Sequence, residues 1–152
     1  MDTILIAVDG SPSAQEAVDF GLELAGDQGA NVTFVLVVPA VDVLPAGGFG
    51  VTVSAPHELS DEESAPLDAA REQAEQRGVH AHTRLLKGEP VDEIVAYADT
   101  IDADVIVVGS RGHGTFASAL LGSVSRGILR EARRPVLVVR GVAAREEAAV
   151  AH

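Results

Sequence analysis

Cysteine is absent from this 152-residue chain, and lysine occurs once, at Lys87. Without cysteine the chain has no disulfides, no thiol chemistry and no cysteine-based metal site. No apolar run reaches the length of a transmembrane helix, although apolar residues make up 47% of the chain. The first residues pass straight into an apolar segment without a basic stretch or a cleavable signal, so the sequence predicts a cytoplasmic chain.

Basic residues are few: 11 of them face 23 acidic residues, which gives a formal charge of −12. This charge predicts that neither nucleic acid nor an anionic membrane is a general partner. Two explanations fit the shortage of lysine, a high-salt cytoplasm in which screening relieves self-repulsion, or a GC-rich genome that favours arginine and alanine. In either case a site for an anionic ligand has to concentrate positive charge locally.

Several catalytic motifs are also missing. The chain contains no G-x-S-x-G elbow and no H-E-x-x-H pair. It lacks a Walker A lysine, which excludes a P-loop NTPase, and no lysine is placed to balance the charge of a phosphoryl group in transfer. These absences disfavour the common hydrolase classes.

Five apolar segments rich in branched residues predict β-strands, at 3–8, 31–38, 79–86, 104–108 and 135–140. Segments with helical spacing separate them, apart from the stretch between residues 39 and 60. Strand, helix, strand succession predicts right-handed crossovers and a parallel sheet, so the chain is predicted to form one open, doubly wound α/β domain. We predict that this domain spans residues 1–141 and that the Ala/Glu-rich residues 142–152 form a flexible tail.

The stretch from Pro39 to about Ser60 has no clear periodicity and includes Gly47-Gly48-Phe49-Gly50. Long loops in compact domains are usually functional or mobile, so we expect it to be poorly ordered without ligand and to lie near the site. A tolerated surface insertion explains the stretch equally well. Ser60 to Glu63 resembles a helix capping box, but Pro66 predicts that the firm helix starts a few residues later.

A possible phosphate cradle follows the fourth predicted strand. Gly109 and Gly112 form a glycine turn, and after nine intervening residues Gly122-Ser123 begins a new helix. Glycines let backbone N–H groups approach an anion, and a helix start adds unpaired donors and a positive dipole end. Ser123 and Ser125 can add hydroxyl groups. A turn without ligand also needs glycine, however, and Ser123 could equally be a helix cap.

Two cationic or partly cationic side chains lie between the glycines of this cradle. The guanidinium of Arg111 can bond phosphate oxygens bidentately, whereas a neutral His113 imidazole can donate one bond. Solvated loop side chains remain the alternative, above all for His113. Asp9, at the carboxyl end of the first strand, is placed to face the same edge of the sheet; a turn aspartate that bonds its own backbone is the alternative.

The spacing Gly109-x-x-Gly112-(nine residues)-Gly122-Ser123 resembles the ATP-binding signature of the universal stress protein family. The resemblance covers residues 3–140. It implies a Rossmann-like, adenine-nucleotide-binding fold with a five-stranded parallel sheet in the order 3-2-1-4-5. It also implies that ATP, with Mg²⁺, is the cofactor.

The resemblance assigns roles to individual residues. Backbone amides around Gly112 and after Gly122, at Ser123, Val124 and Ser125, would hold the phosphates. Val38 would lend its backbone N–H and C=O to the adenine edge, although a plain core valine explains this position as well. Asp9 would lie beside the nucleotide, near the ribose or a divalent metal.

The resemblance implies a cytoplasmic stress-response protein that binds Mg-ATP as a regulatory ligand. A slow ATPase, or a nucleotidyl- or phosphoryl-transfer enzyme on the same fold, is the alternative, so enzymatic activity stays open. A dimerising scaffold without nucleotide is a third possibility, which the intact glycine spacing disfavours.

Homodimers through the last strand are common in the family. Val136 to Val139 are apolar and predicted to lie at a sheet edge, where unpaired backbone favours association. We therefore predict a homodimer that pairs these strands antiparallel across a two-fold axis. The remaining candidates, His80 and His82, share one strand face and could hold a metal. No cysteine or carboxylate pattern supports that use, so an ordinary strand face is favoured.

Overall fold

A parallel sheet built from the predicted apolar segments organises the chain. The computed structural model describes residues 1–111 and 121–140. The strands in these residues are β1 (Thr3–Ala7), β2 (Asn31–Val38), β3 (Val41–Pro45), β4 (Thr52–Pro56), β5 (Ala81–Lys87), β6 (Val105–Gly109) and β7 (Val136–Val139). Five of them form one parallel sheet in the order β5-β2-β1-β6-β7, and β3 and β4 form a separate antiparallel hairpin.

This topology confirms the predicted doubly wound fold. Counted without β3 and β4, the five strands of the main sheet run in the order 3-2-1-4-5, as the resemblance implied. The numbering differs because the hairpin, which was not predicted, lies between the second and third strands of the sheet. The tail predicted at 142–152 is outside the described residues.

Helices cover both faces of the sheet. They are α1 (Pro12–Gln28), α2 (Asp61–Gln76), α3 (Pro90–Thr100) and α4 (Ser123–Glu131). In β1, Ile4 and Ile6 pack into the core beneath α1 and α2, whereas Leu5 packs into the core beneath α3 and α4. Because successive strand residues face opposite sides, burial on both faces explains the uninterrupted apolar run. No helix in the described part of the chain has the length and apolar character needed to cross a membrane.

The start of α2 corrects one prediction. The helix begins at Asp61 rather than a few residues later, and Pro66 lies inside it. The Ser60 side chain accepts the Glu63 N–H at 3.2 Å, and the Glu63 carboxylate accepts the Ser60 N–H at 3.0 Å. This reciprocal cap satisfies donors of the first turn, so the helix is already formed before the proline removes one hydrogen bond.

The β3–β4 hairpin corrects a second prediction, the irregular loop between residues 39 and 60. Its strands pair in antiparallel register, with Val43 opposite Ser54 and Leu44 opposite Val53. Residues on both faces of the hairpin are exposed, so its sequence has no buried stripe from which periodicity could be recognised. The hairpin contributes no residue to the walls of a cavity that opens beyond the carboxyl ends of β1 and β6.

Candidate functional site

The carboxyl ends of β1 and β6 lie side by side, and the chain leaves them toward opposite faces of the sheet. After β1 it enters α1, which packs on one core, and after β6 it reaches α4, which packs on the other. Ligands of open parallel sheets bind at such a switch point, beyond the carboxyl ends of the strands. The fold therefore places a crevice where the sequence predicted the site.

A cavity of about 130 Å³ opens at this point, between the sheet and the first turns of α3 and α4. Asp9, Arg111 and Ser125 contribute polar groups to its lining. The other walls are largely apolar and include Ala7, Val35, Val37, Ile94, Val108 and Val124. Sites that enclose a whole drug-sized ligand usually measure about 300–1,000 Å³, so this cavity can enclose a ring system while the rest of a ligand lies outside it.

Asp9 combines a structural role with a position at the cavity. Its Oδ1 accepts the Ser11 N–H at 2.8 Å, which is the turn aspartate that the sequence left as an alternative. Asp9 also lines the cavity. The two interpretations are therefore compatible, because the turn holds the carboxylate at the edge of the crevice.

Gly109 is required by packing. A Cβ atom at this position would lie 2.6 Å from both the carbonyl carbon and the carbonyl oxygen of Ser13, in the first turn of α1. Such distances are not tolerated, since backbone cannot move aside as a flexible side chain can. This glycine therefore has an explanation that does not need a ligand, in addition to the phosphate contact predicted for it.

Hydrogen bonds bring together the two ends of the loop that joins β6 to α4. The Gly122 N–H donates to the carbonyl of Ser110 at 2.6 Å. The Ser110 N–H donates to the Val139 carbonyl at 2.9 Å, and the Arg111 N–H donates to the Ser13 hydroxyl at 3.1 Å. The two ends of the predicted signature, Gly109 and Gly122, therefore lie close together. Gly112 and His113 lie outside the described residues.

The start of α4 differs from the other helix starts. Gly122 occupies the N-cap position with φ −72° and ψ 165°, and no side chain among the described residues caps this helix. Ser11, Ser60 and Glu89 cap the other three. The first N–H groups of a helix have no acceptor within it, and Val124 and Ser125, in the first turn of α4, line the cavity.

The two serines of the signature are placed differently from one another. Ser123 is the first helical residue and is exposed, so the helix-cap alternative for it is wrong: Gly122 is the cap residue. Ser125 is buried, and its hydroxyl donates to the Gly109 carbonyl at 2.7 Å. Its proton is thus engaged in holding α4 against β6, which leaves backbone N–H as the simpler donor of Ser125 to a ligand.

Val38 lies at the end of β2, as predicted, but does not line the cavity. Its carbonyl accepts the Gly88 N–H at 2.9 Å. A carbonyl oxygen has a second lone pair, so this bond does not exclude a further donor. The adenine contact assigned to Val38 stays a prediction.

Metal ligands are scarce in the part of the chain that the structure describes. It contains no group of three or more histidine and acidic side chains arranged to hold an ion. The rings of His80 and His82 pack edge to face with centroids 4.8 Å apart, at the exposed edge of the main sheet. Both side chains are exposed and have no third ligand among the described residues, consistent with an ordinary strand face.

Sequence reasoning missed several residues at the site. Ser13 and Ser110 have hydroxyl oxygens 3.4 Å apart, and Ser13 fixes the backbone of Arg111. Val35, Val37 and Ile94 form apolar walls of the cavity. The apolar residues gave no signal because any core position has the same composition, whereas the run Ser110-Arg111 after a strand end could have indicated Ser110.

Comparisons with known proteins agree with this architecture. The family model described as "Universal stress protein family" matches residues 1–140. A universal stress protein of Methanocaldococcus jannaschii is 37% identical over 140 residues, which cover 90% of this chain and 81% of that protein.

Two solved structures extend the comparison to three dimensions. A universal stress protein in complex with cAMP is 28% identical, has a TM-score of 0.67, and is matched over 91% of this chain and 96% of its own. The universal stress protein from Archaeoglobus fulgidus in complex with dAMP is 28% identical, has a TM-score of 0.65, and is matched over 91% and 97%. On the family match over 140 residues and these relatives, the chain belongs to the universal stress protein family.

Proposed function

We propose that this chain binds an adenine nucleotide in the cytoplasm, with ATP as the ligand, and that binding acts as a regulatory signal in a stress response. The observation that carries the proposal is the start of α4, which no side chain among the described residues caps, beside a largely apolar cavity. Helix N-termini bind phosphate, and an apolar slot suits a base. The relatives solved with cAMP and dAMP support an adenine nucleotide.

The cavity would hold one part of the ligand, the base, and the start of α4 would hold the other, the phosphates. The adenine ring fits the 130 Å³ cavity, near the end of β2 where Val38 is found. The phosphates then lie outside it, against the backbone N–H groups of Ser123 and Val124. In this proposal Gly112 contributes backbone amides, and Arg111 and His113 contribute positive charge or a hydrogen bond. A local cation is needed, because a chain of charge −12 repels an anionic ligand at long range.

Asp9 is the proposed protein contact of Mg²⁺. Mg²⁺ is usually held by one or two carboxylates together with phosphate oxygens and water. Asp9 lines the cavity, and its turn with Ser11 fixes the direction of its carboxylate. The ion would then bridge Asp9 and the phosphates.

A regulatory ligand is favoured over a substrate. Asp9 is the one acidic residue in the cavity lining that the described residues provide, and it already accepts the Ser11 N–H. Hydrolysis requires a group that positions water and charges that stabilise the transferring phosphoryl group. ATP can regulate without reacting if it binds two states of the protein with different affinity.

The binding site is tested by titrating ATP into the Gly122→Val variant in a calorimeter. The new side chain stands beside the N–H groups of the first turn, and each hydrogen bond lost to a charged phosphate costs about 1.5–3 kcal/mol, so affinity should fall by at least about tenfold. Gly26→Val is the matched control, because a Cβ there meets nothing within 4 Å. Equal ATP affinity in both variants would remove the site assignment.

Hydrolysis is tested by following ATP with phosphorus NMR during a prolonged incubation with the protein. We expect bound ATP to stay intact. Phosphate release that is abolished in Asp9→Asn would instead establish the slow ATPase, since asparagine keeps an oxygen for the turn with Ser11 but removes the negative charge. The same variant should weaken the dependence of ATP affinity on Mg²⁺.

We also propose the homodimer through β7. This strand is at the edge of the sheet, and the carbonyls of Pro135 and Val139 bond to β6. With a two-residue period, the N–H of Val138 therefore points away from β6. Val138→Pro should give monomers in light scattering without breaking the β6–β7 ladder, whereas Val138→Thr, which keeps the N–H, should stay dimeric. A dimeric proline variant would exclude this interface.

A further inference from the structure

Exposed apolar side chains are concentrated on and around the β3–β4 hairpin. Ten large apolar side chains are exposed in the described residues, and seven of them lie between positions 41 and 59. They are Val41, Val43, Leu44, Phe49, Val51, Val53 and Leu59. Single exposed apolar residues are ordinary, but a cluster of this kind marks an interaction surface.

The hairpin also carries little charge. Residues 39–56 contain one of the chain's 23 acidic residues, Asp42, and no basic residue. That carboxylate lies 2.8 Å from Nδ1 of His57, whose Nε2 lies 2.8 Å from Glu63 at the start of α2. His57 therefore ties the base of the hairpin to the domain, which presents the hairpin in a fixed position.

Both outer edges of the hairpin have backbone groups that the hairpin itself does not use. The Ala46 N–H donates to the Val51 carbonyl, and the His57 N–H donates to the Ala40 carbonyl. Because bonded pairs alternate along an antiparallel ladder, Val43 and Ser54 direct their N–H and C=O groups outward. Pro45 and Pro56 occupy outward positions of the same kind, where a missing N–H leaves the ladder intact.

A two-stranded hairpin is marginally stable in water unless a further strand or a helix packs against it. In the described residues, β3 and β4 pair with each other and with no other strand. The edge of β4 carries no charged residue from Thr52 to Pro56, so charge does not protect it against pairing with another chain, and its proline, Pro56, lies at the end of the strand.

We propose that two copies of the chain associate through β4, which pairs antiparallel with β4 of the second copy about a two-fold axis near Ser54. The result is a four-stranded sheet in which each hairpin gains the neighbour it lacks. Pairing through β3 is disfavoured, because it would bring the Asp42 carboxylates of the two copies close together. A second copy is favoured as partner because a two-fold interface needs one self-complementary surface, and the uncharged segment Thr52–Pro56 lets two chains of formal charge −12 approach without opposing like charges there.

The first test compares Ser54→Pro with Val43→Pro by sedimentation velocity of the full chain over a range of concentrations. The two residues are opposite each other, so each variant removes one outward N–H, from opposite edges of the hairpin. The mass of the assembly should fall by at least half in Ser54→Pro and stay at the wild-type value in Val43→Pro, whether or not β7 pairs as well. Circular dichroism checks that both variants fold. A wild-type mass in Ser54→Pro would overturn the proposal.

The second test uses the absence of cysteine from the chain. Residues opposite each other in an antiparallel pair have Cα atoms about 4.5–5.5 Å apart, within the range that a disulfide spans. S54C should therefore form a disulfide between two copies under mild oxidation. F20C, at another exposed residue, on α1, should stay uncrosslinked. Equal crosslinking of S54C and F20C would also overturn the proposal.

Discussion

Two helices, α1 and α4, begin beyond the carboxyl ends of the strands of the main sheet, and the N–H groups of their first turns differ in the acceptors available to them. At α1, the Ser11 hydroxyl accepts the Ala14 N–H at 3.2 Å, and Asp9 in turn accepts the Ser11 N–H. At α4, glycine occupies the cap position, and no side chain among the described residues caps the helix. The serine of the second helix, Ser123, comes one position later than the serine of the first.

Because of this difference of one residue, a serine hydroxyl caps the first turn of α1, whereas no side chain among the described residues caps that of α4. A serine cap is worth about 0.5–2 kcal/mol relative to alanine but only a few tenths of a kcal/mol relative to glycine, so glycine at the cap of α4 costs little stability. Val124 and Ser125 of its first turn line the cavity, where we propose that an anion accepts from their N–H groups.

Closing α4 with a charged cap should have the largest effect. Gly122→Asp places a carboxylate at a cap position whose extended backbone suits aspartate, where it competes with phosphate for the same N–H groups and repels it. We expect ATP affinity to fall by about a hundredfold or more, which corresponds to roughly 2.7 kcal/mol. Calorimetric titration measures the loss. Gly122→Ser, an uncharged cap, should lose less, and equal losses would show that charge is not the reason.

Adding a single methyl group at Gly109, at the end of β6, should lower the stability of the protein. In Gly109→Ala the new Cβ meets the Ser13 backbone at 2.6 Å, so we expect a loss of about 1–3 kcal/mol in the free energy of unfolding. Gly26→Ala, in open space on α1, should instead stabilise by up to about 1 kcal/mol. Urea unfolding of both variants checks the prediction, and equal stability would contradict it.

Removing a cap far from the cavity should separate stability from binding. Ser60→Ala abolishes the capping box of α2, and we expect a loss of about 1 kcal/mol and a melting temperature lower by about 2–4 °C. Because α2 contributes nothing to the cavity walls, ATP affinity should stay unchanged. Parallel melting and titration experiments measure both, and a weakened affinity would mean that helix caps act on the site indirectly.

The smallest effect expected is a pH dependence at His57. The hydrogen bond to Asp42, assisted by Glu63, raises the pKa of His57 above its ordinary value of about 6.5. A raised folded-state pKa means that the stabilisation is complete below about pH 6.5 and is lost as pH rises through the higher value. The melting temperatures of wild type and His57→Gln should therefore differ most at pH 5–6 and converge at pH 9. A difference independent of pH would contradict a charged His57.

The sequence predicted what depends on burial and on glycine spacing. The apolar run of β1 predicted a strand buried on both faces, because Ile4 and Leu5 pack into opposite cores. The order of the strands came from the resemblance, since periodicity alone does not determine which strands are neighbours. The spacing from Gly109 to Gly122 predicted that strand end and helix start meet, and the bond between Ser110 and Gly122 shows that they do.

What could not be predicted depends on contacts between distant residues. The hairpin had no buried stripe, and the anchor of His57 on Asp42 and Glu63 joins residues whose types alone suggest solvated side chains. The hydroxyl of Ser125 was expected at a phosphate but donates to the Gly109 carbonyl. A hydroxyl group can rotate to donate to any acceptor within reach, and packing between distant residues determines which acceptor that is.

The hydrogen bond between the Ser110 carbonyl and the Gly122 N–H joins the two ends of the stretch from 111 to 121. Its two ends meet at one bond, so lengthening or shortening it leaves the sheet and α4 in place. Doubling such a stretch costs only about 0.6 kcal/mol in closure entropy. We therefore expect insertions or grafts here to change the nucleotide preference proposed for the site without rebuilding the domain.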